Sequence, residues 1–375
     1  MKRYQLLSLL LVAAGTSFGQ APAERYRDDL FTGSDTITLQ YGNNINYLGK
    51  SEDLLLDVHR PAGDSTKQRA AICFVHGGGF RNGHRNDPAI MDFCGKLARK
   101  GYVVISIDYR LGQASDSDAE LSASIVRAIQ DLDAAIRFVK ANAQSLGIDS
   151  NLVFISGASA GGMTVLCKAY MKIDSTANRL GVFSERDLDG STNTLVNTSS
   201  VQGVYSMWGA LFDTAWITPA DVPVACAHSI DDTTIPYISG FNKRNGNYLL
   251  YGSFSINQRA VNIGLPTALH SFNSGKHDLG LKVAPYKDTT LQLMSDFFYN
   301  IIKEKSKTQR TFYKIKTPCA ASYMVKNDPG KRKLILATKE EQSVPGSDAA
   351  CAGTITQTAA LWPQDTVSKT SVFLH

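Results

Sequence analysis

One short segment constrains this chain more than any other. Gly157-Ala158-Ser159-Ala160-Gly161-Gly162 lies directly between an apolar, strand-like run (Leu152 to Ser156) and a helical stretch that reaches Met171. A chain that leaves a buried strand and enters a helix within two residues must turn sharply. The apex residue is then forced into a strained backbone conformation, and its neighbours must lack bulk. Glycine and alanine around Ser159 meet both demands. G-x-S-x-G alone recurs by chance, but the strand before it, the helix after it and the extra Gly162 make it an elbow that holds out the Ser159 hydroxyl. The first amides of the following helix face the same space, so the Ala160 N–H is a candidate donor to a developing negative charge.

The surrounding pattern supports such an elbow. Thr36 to Gln40 and Leu54 to His59 alternate apolar and polar residues, as half-buried antiparallel strands do. Ala70 to Val75 and Tyr102 to Ile107 are continuous apolar runs, the mark of strands covered on both faces. Helical spacing fills Ile90 to Arg99, and also Leu121 to Leu146, where Ile125, Ile129, Leu132, Ile136 and Val139 recur at three- and four-residue steps. Further strands are expected at Val201 to Met207, Val222 to Ala227 and Pro266 to Phe272, with a closing helix at Leu291 to Lys303. Strands alternating with helices predict an α/β chain with a mostly parallel central sheet and helices on both faces. Asp174 to Ser200 and Tyr237 to Gly264 break the rhythm and read as insertions that shape a site. From residue 306 to 375 the pattern changes to Lys/Thr-rich short strands, a small C-terminal β-rich appendage whose role is unknown.

Composition excludes several classes. At 375 residues, 43% hydrophobic and 19% charged, the chain is neither disordered nor fibrous. The formal charge is +5, but no basic run exceeds Lys331-Arg332-Lys333, so no nucleic-acid partner is expected. Lys2-Arg3, the apolar stretch Leu6 to Ala14 and the small residues of Ser17-Phe18-Gly19 form a signal-peptide pattern with cleavage expected after Gly19, a cut after Ala23 being the alternative. Residues 1–19 are therefore read as a leader and 20–305 as the catalytic unit, exported to a secreted or periplasmic location with no membrane anchor. Cys73, Cys94, Cys167 and Cys226 lie in apolar strand- or helix-like segments and read as small buried hydrophobes. Cys319 and Cys351 are a candidate disulfide in the polar tail. No metal-ligand spacing and no cofactor motif is present.

A second glycine-rich segment, His76-Gly77-Gly78-Gly79-Phe80, follows the strand that ends at Val75. Consecutive glycines let backbone N–H groups approach a charged atom closely, so Gly78 and Gly79 join Ala160 as candidate oxyanion donors. His76 is read as structural, bonding backbone within its loop.

With both segments in view, the chain resembles α/β-hydrolases of the carboxylesterase type, similar to hormone-sensitive-lipase-like and bacterial feruloyl-esterase-like groups. The resemblance rests on His76-Gly77-Gly78-Gly79, Asp108-Tyr109-Arg110-Leu111, Asp131 with Ala135-Ile136-Arg137, and the elbow itself. It implies the α/β-hydrolase fold and a Ser-His-Asp triad in which the acid follows the nucleophile and the histidine comes last. The family's acid, followed after two residues by an aliphatic and then proline, falls on Asp232; Asp231 is the rival if the turn slips by one residue. Ser229 stands where the family has glycine after histidine. The base falls on His277, in a glycine-flanked loop after a strand, rather than on His270 or His375.

Asp131 and Arg110 are read as a buried brace. Trp208, just past a strand, and Tyr237 are candidate substrate-binding residues, and Phe241, Tyr248, Tyr251 and Phe254 are further aromatics of the second insertion. The expected function is a secreted serine carboxylesterase acting on a small-molecule or polysaccharide-linked ester with a short acyl or an aryl group. Two other readings stand beside it: a dipeptidyl-peptidase-like amidase, which lacks room here for its N-terminal propeller, and a non-catalytic binding relative, which would be expected to have lost Ser159 or His277.

Overall fold

The structure is a computed structural model that describes residues 23–241, 248–273 and 275–303, together with the strands at 309–316, 319–328 and 333–338. The leader and the Cys319–Cys351 pairing lie outside the described side chains.

In chain order the strands are β1 (Ser34–Ile45), β2 (Ser51–Pro61), β3 (Arg69–Val75), β4 (Val103–Ile107), β5 (Ile148–Ala158), β6 (Val204–Met207) and β7 (Ala210–Leu211). They continue with β8 (Val224–Ser229), β9 (Ser239–Phe241), β10 (Leu249–Gly252) and β11 (Thr267–Phe272). The last three are β12 (Gln309–Lys316), β13 (Cys319–Asp328) and β14 (Lys333–Thr338). The large sheet runs in the order β1-β2-β4-β3-β5-β6-β8-β11-β12-β13-β14. β1 pairs antiparallel with β2, and β2 with β4; all pairings from β4 to β12 are parallel.

Period-two alternation explains how one strand serves two cores. Ala71, Cys73 and Val75 of β3 face one side, with Ile125 and Ile129 of helix Asp118–Ala141 and Val165 of helix Ala160–Tyr170. Ala70, Ile72 and Phe74 face the other, with Phe93 of helix Pro88–Arg99 and Phe298 of helix Tyr286–Ile302. Every residue of β3 and β4 is buried, as the unbroken apolar runs require. The four expected buried cysteines are free and buried. Burial pushes the thiols of Cys73, Cys167 and Cys226 up to about 12, which suits packing rather than reactivity.

Three features differ from the pattern reading. The long helix ends at Ala141, and Ala143–Leu146 is a separate turn closed by Gly147 in the left-handed conformation. The stretch from Tyr237 to Gly264 is not a single insertion. Its first part supplies β9 and β10, which pair with β7 in a three-stranded antiparallel sheet, and its second part is helix Ser253–Asn262. That helix is the crossover between the parallel neighbours β8 and β11, and a parallel pair cannot be joined without one. Finally, β12 pairs in parallel with β11, from Ala268↔Gln309 to Phe272↔Tyr313, so the strands β12, β13 and β14 continue the central sheet.

Candidate active site

Ser159 sits at the turn between β5 and helix Ala160–Tyr170 with φ 55° and ψ −116°, a conformation that costs a non-glycine residue of order 1–3 kcal/mol. Neighbouring backbone holds it there. Its N–H donates to the Met207 carbonyl at the end of β6 (2.9 Å), and its own carbonyl accepts the Met163 N–H of the first helical turn (2.9 Å). The hydroxyl lies at the C-terminal edge of the parallel strands, where α/β sheets place their sites.

Ser159 Oγ is 2.8 Å from His277 Nε2, and His277 Nδ1 is 2.7 Å from Asp232 Oδ2. The carboxylate accepts at Nδ1, so Nδ1 carries the ring proton and Nε2 is left to accept the serine O–H. Asp232 is fixed in turn. Its Oδ1 accepts the backbone N–H groups of Thr234 (2.7 Å) and Ile235 (3.1 Å), and its Oδ2 also faces His228 Nε2 (3.1 Å). Its side chain is wholly buried. Burial by itself would raise this carboxyl, but the hydrogen bonds from His228 and His277 outweigh it and hold it well below the usual carboxylate range.

The geometry separates the two neighbouring acids. Asp232 touches the imidazole. Asp231 instead accepts the backbone N–H of Lys276 (3.0 Å) and of Gly275 (3.4 Å), the two residues before His277. This tether matters because Gly275, Lys276 and Asp278 all have positive φ, at 144°, 53° and 71°. The loop carrying His277 is thus strained on both sides of the ring. Asp278 Oδ1 lies 3.6 Å from His277 Nε2 and pairs with Lys282.

The glycine loop lies alongside. A Cβ on Gly77 would come within 3.2 Å of Ser159 Cβ, which places this backbone against the nucleophile. Gly78 has φ 109°, and a Cβ there would fall 1.9 Å from the Asn82 carbonyl, so only glycine fits the turn. Ala160 opens its helix, and its N–H belongs to the unpaired first turn. His76 keeps away from this chemistry. Its Nδ1 donates to the Gly77 carbonyl (2.7 Å), its ring stacks on Tyr109 at 4.5 Å, and burial lowers its pKa. Arg85 braces the far end of the loop through Asp57 (3.1 Å) and Asp108 (2.5 Å). Arg110 and Asp131 form the expected buried contact, joined by Thr192.

Trp208 is brought to the site: its ring meets His277 edge-on at 6.3 Å, it is 2% exposed, and its φ is 40°. Tyr237 lies behind the acid, its hydroxyl 2.6 Å from Ser271 Oγ and its ring against His228 and Phe254. These contacts place Tyr237 against the residues that support Asp232. The Tyr248 hydroxyl bonds Ser122 and the Arg179 carbonyl, which ties the β10 segment to the body. His270 is buried against the Tyr205 hydroxyl (2.8 Å), and burial pushes it down to about 3. His375 lies outside the described residues. Sequence reasoning did not assign a role to His228 and Ser253; the available signal was a polar histidine ending an apolar strand four residues before the acid.

Residues 56–211 match the family model described as BD-FAE, a span that runs from β2 through the glycine loop and the elbow to β7. Esterase LipC of Mycobacterium tuberculosis is 36% identical over 110 residues, 29% of this chain and 25% of that protein. Esterase E4 of Myzus persicae is 31% identical over 145 residues, 36% of this chain and 24% of that protein. The chain thus spans about a quarter of the length of the curated relatives it matches. Thermogutta terrifontis esterase 2 phosphoramylated by tabun shares the fold with a TM-score of 0.54 and 20% identity, covering 72% of this chain and 96% of that one. Its propionate-bound form gives 0.53 and 20%, covering 72% and 95%. Among the described residues no helix is long and apolar enough to cross a membrane.

Proposed function

From the α/β-hydrolase fold of this chain, we propose that it is a serine carboxylesterase that cleaves short-acyl or aryl carboxylic esters through an acyl-enzyme intermediate. The observation that carries this reading is the continuous path from Ser159 Oγ through His277 to Asp232, 2.8 and 2.7 Å long, built on a strained elbow beside a glycine loop. In the first step His277 Nε2 takes the serine proton as Oγ attacks the ester carbonyl. The oxyanion forms against the amides of Gly78, Gly79 and Ala160, whose fixed orientation requires no rearrangement as charge develops. Protonated His277 then delivers the proton to the departing alcohol, and water repeats the sequence to free the acid. Asp232 keeps Nδ1 protonated and balances the imidazolium.

The matching family model and the names of the curated relatives support ester hydrolysis over amide hydrolysis. The choice of a small acid follows from the polar run Asn242, Lys243, Arg244, Asn245 and Asn247, which stands in the sequence between the aromatics Phe241 and Tyr251. A site for long chains needs a broad apolar surface. A secreted or periplasmic location rests on the leader pattern of residues 1–19. The test is a hydrolysis panel of p-nitrophenyl esters from C2 to C16, feruloyl esters, acetylated xylan and peptide amides. Short or aryl esters should exceed C12 and longer by at least ~10-fold in kcat/KM, which needs only ~1.4 kcal/mol of differential binding in the transition state. A profile that climbs to long chains with activation at a lipid interface, or one confined to amides, would overturn it.

A further inference from the structure

Behind the acid lies a histidine that the proposed reaction does not use. His228 is the penultimate residue of β8, is fully buried, and makes three close polar contacts: Nε2 to Asp232 Oδ2 (3.1 Å), Nε2 to the Ile235 carbonyl (3.2 Å), and Nδ1 to Ser253 Oγ (2.8 Å). Both partners of Nε2 are acceptors, so Nε2 must carry a proton. Nδ1 then accepts the Ser253 O–H, since a hydroxyl can turn to either role. A second proton on the ring would put a charge in a site closed to water, and burial accordingly lowers the pKa of His228. The ring is therefore neutral, with its tautomer set by the two acceptors at Nε2, and the Ser253 hydroxyl turns to donate at Nδ1.

We propose that His228 is a positioning residue for the triad, a neutral imidazole whose Nε2–H shares the Asp232 oxygen that orients His277, with the Ser253 hydroxyl donating to its Nδ1. This rests on the esterase reading above only where activity is the readout. Asp232 Oδ2 thus receives one N–H from the base and one from His228, on top of the two backbone N–H groups at Oδ1. The second imidazole draws off part of the carboxylate charge that would otherwise face His277, and it stops the carboxylate from rotating out of line. The groups facing this network are few. Asp232 and Asp231 come from the turn after β8, His277 and Asp278 from the loop after β11, with Lys282 paired to Asp278. Tyr237 packs edge-on against His228, while Ser253 comes from the crossover helix, with the raised thiol of Cys226 beside it.

Two measurements test this. Nitrogen NMR of the histidines in the intact protein should show His228 neutral with the proton on Nε2 across neutral pH. A proton on Nδ1, or a doubly protonated ring, would overturn the proposal whether or not the protein hydrolyses esters. With p-nitrophenyl acetate as probe, His228→Phe, which keeps bulk but loses the donor, should lower kcat about tenfold, a fraction of what acid–base catalysis contributes as a whole. KM should stay within about twofold, because no contact to substrate is lost. The acid limb of kcat/KM should move to higher pH by about half a unit, since the imidazolium would face a fuller carboxylate charge. His228→Gln, which restores an N–H near the same place, should recover most of both effects. Ser253→Ala should shift the limb in the same direction by less, and it serves as the variant if His228→Phe does not fold. Lower activity that follows only the folded fraction, with the acid limb unmoved in all three variants, would make His228 a packing residue. Wild-type protein that releases no p-nitrophenol from any ester would instead refute the esterase reading and leave the NMR result to decide the tautomer.

Discussion

Exchanging the two adjacent acids for amides offers the sharpest test of the site, because the structure assigns them different partners. In Asp232→Asn an amide NH2 competes for the place of an oxygen that accepts from His277 Nδ1 at 2.7 Å and from His228 Nε2 at 3.1 Å. Donor would face donor. His277 escapes by moving its proton to Nε2, the nitrogen that must accept from Ser159. A wrong tautomer of this kind costs about 10⁴ in kcat in the template Ser-His-Asp enzyme, about 5.5 kcal/mol. In Asp231→Asn the amide oxygen can still accept the Lys276 N–H, and what is lost is the 3.4 Å bond from Gly275 at an exposed position. One such bond is worth about 0.5–1.5 kcal/mol, or roughly tenfold at most. The two variants should therefore differ by about 10³ in kcat/KM on p-nitrophenyl acetate. Active-site titration with a reactive organophosphate would count competent serines, and circular dichroism would confirm folding. Equal losses, or a larger loss for Asp231→Asn, would show that the turn after β8 does not hold Asp232 against His277.

Ser159→Ala should abolish both turnover and organophosphate labelling while leaving the melting temperature within a few degrees; residual labelling elsewhere at full stoichiometry would remove Ser159 from its role. Gly161→Ala should destabilise by about 3 kcal/mol, the upper end of overpacking costs, because its Cβ would lie 2.0 Å from the Val75 carbonyl; an unchanged urea midpoint would contradict that close approach. Acid should weaken the fold early. Burial holds His59 neutral down to about 4 and His270 down to about 3, so as pH falls below the unfolded value near 6.5 the unfolded chain takes up protons first and stability drops. At pH 5 each of these two sites contributes a loss of about 2 kcal/mol and the buried His76 and His228 act in the same direction, so urea unfolding should show at least about 4 kcal/mol less stability than at pH 7, and equal stability at the two values would refute the burial argument.

Features that depend on neighbouring residues are legible along the chain. The unbroken apolar runs at Ala70 to Val75 and Tyr102 to Ile107 had to be strands with two covered faces, and the small residues around Ser159 had to form a tight strand-to-helix turn, because burial and backbone strain act within a few positions. The cysteines in apolar runs were legible as core for the same reason. Other outcomes were settled by partners far away in the chain. Asp231 and Asp232 are chemically alike, and only the direction each side chain leaves the turn after β8 gives one to the imidazole and the other to the loop amides. Helix Ser253–Asn262 read as part of an insertion because its polar and aromatic residues mask the period, yet the parallel pairing of β8 with β11 obliges a crossover there. That β12 pairs with the edge of β11 has no local signal in the sequence. His228 looked like the end of a strand until folding brought Ser253, Asp232 and the Ile235 carbonyl around its ring. Hydrogen-bond geometry is a property of positions in space, and a linear pattern holds only the half of it that lies along the chain.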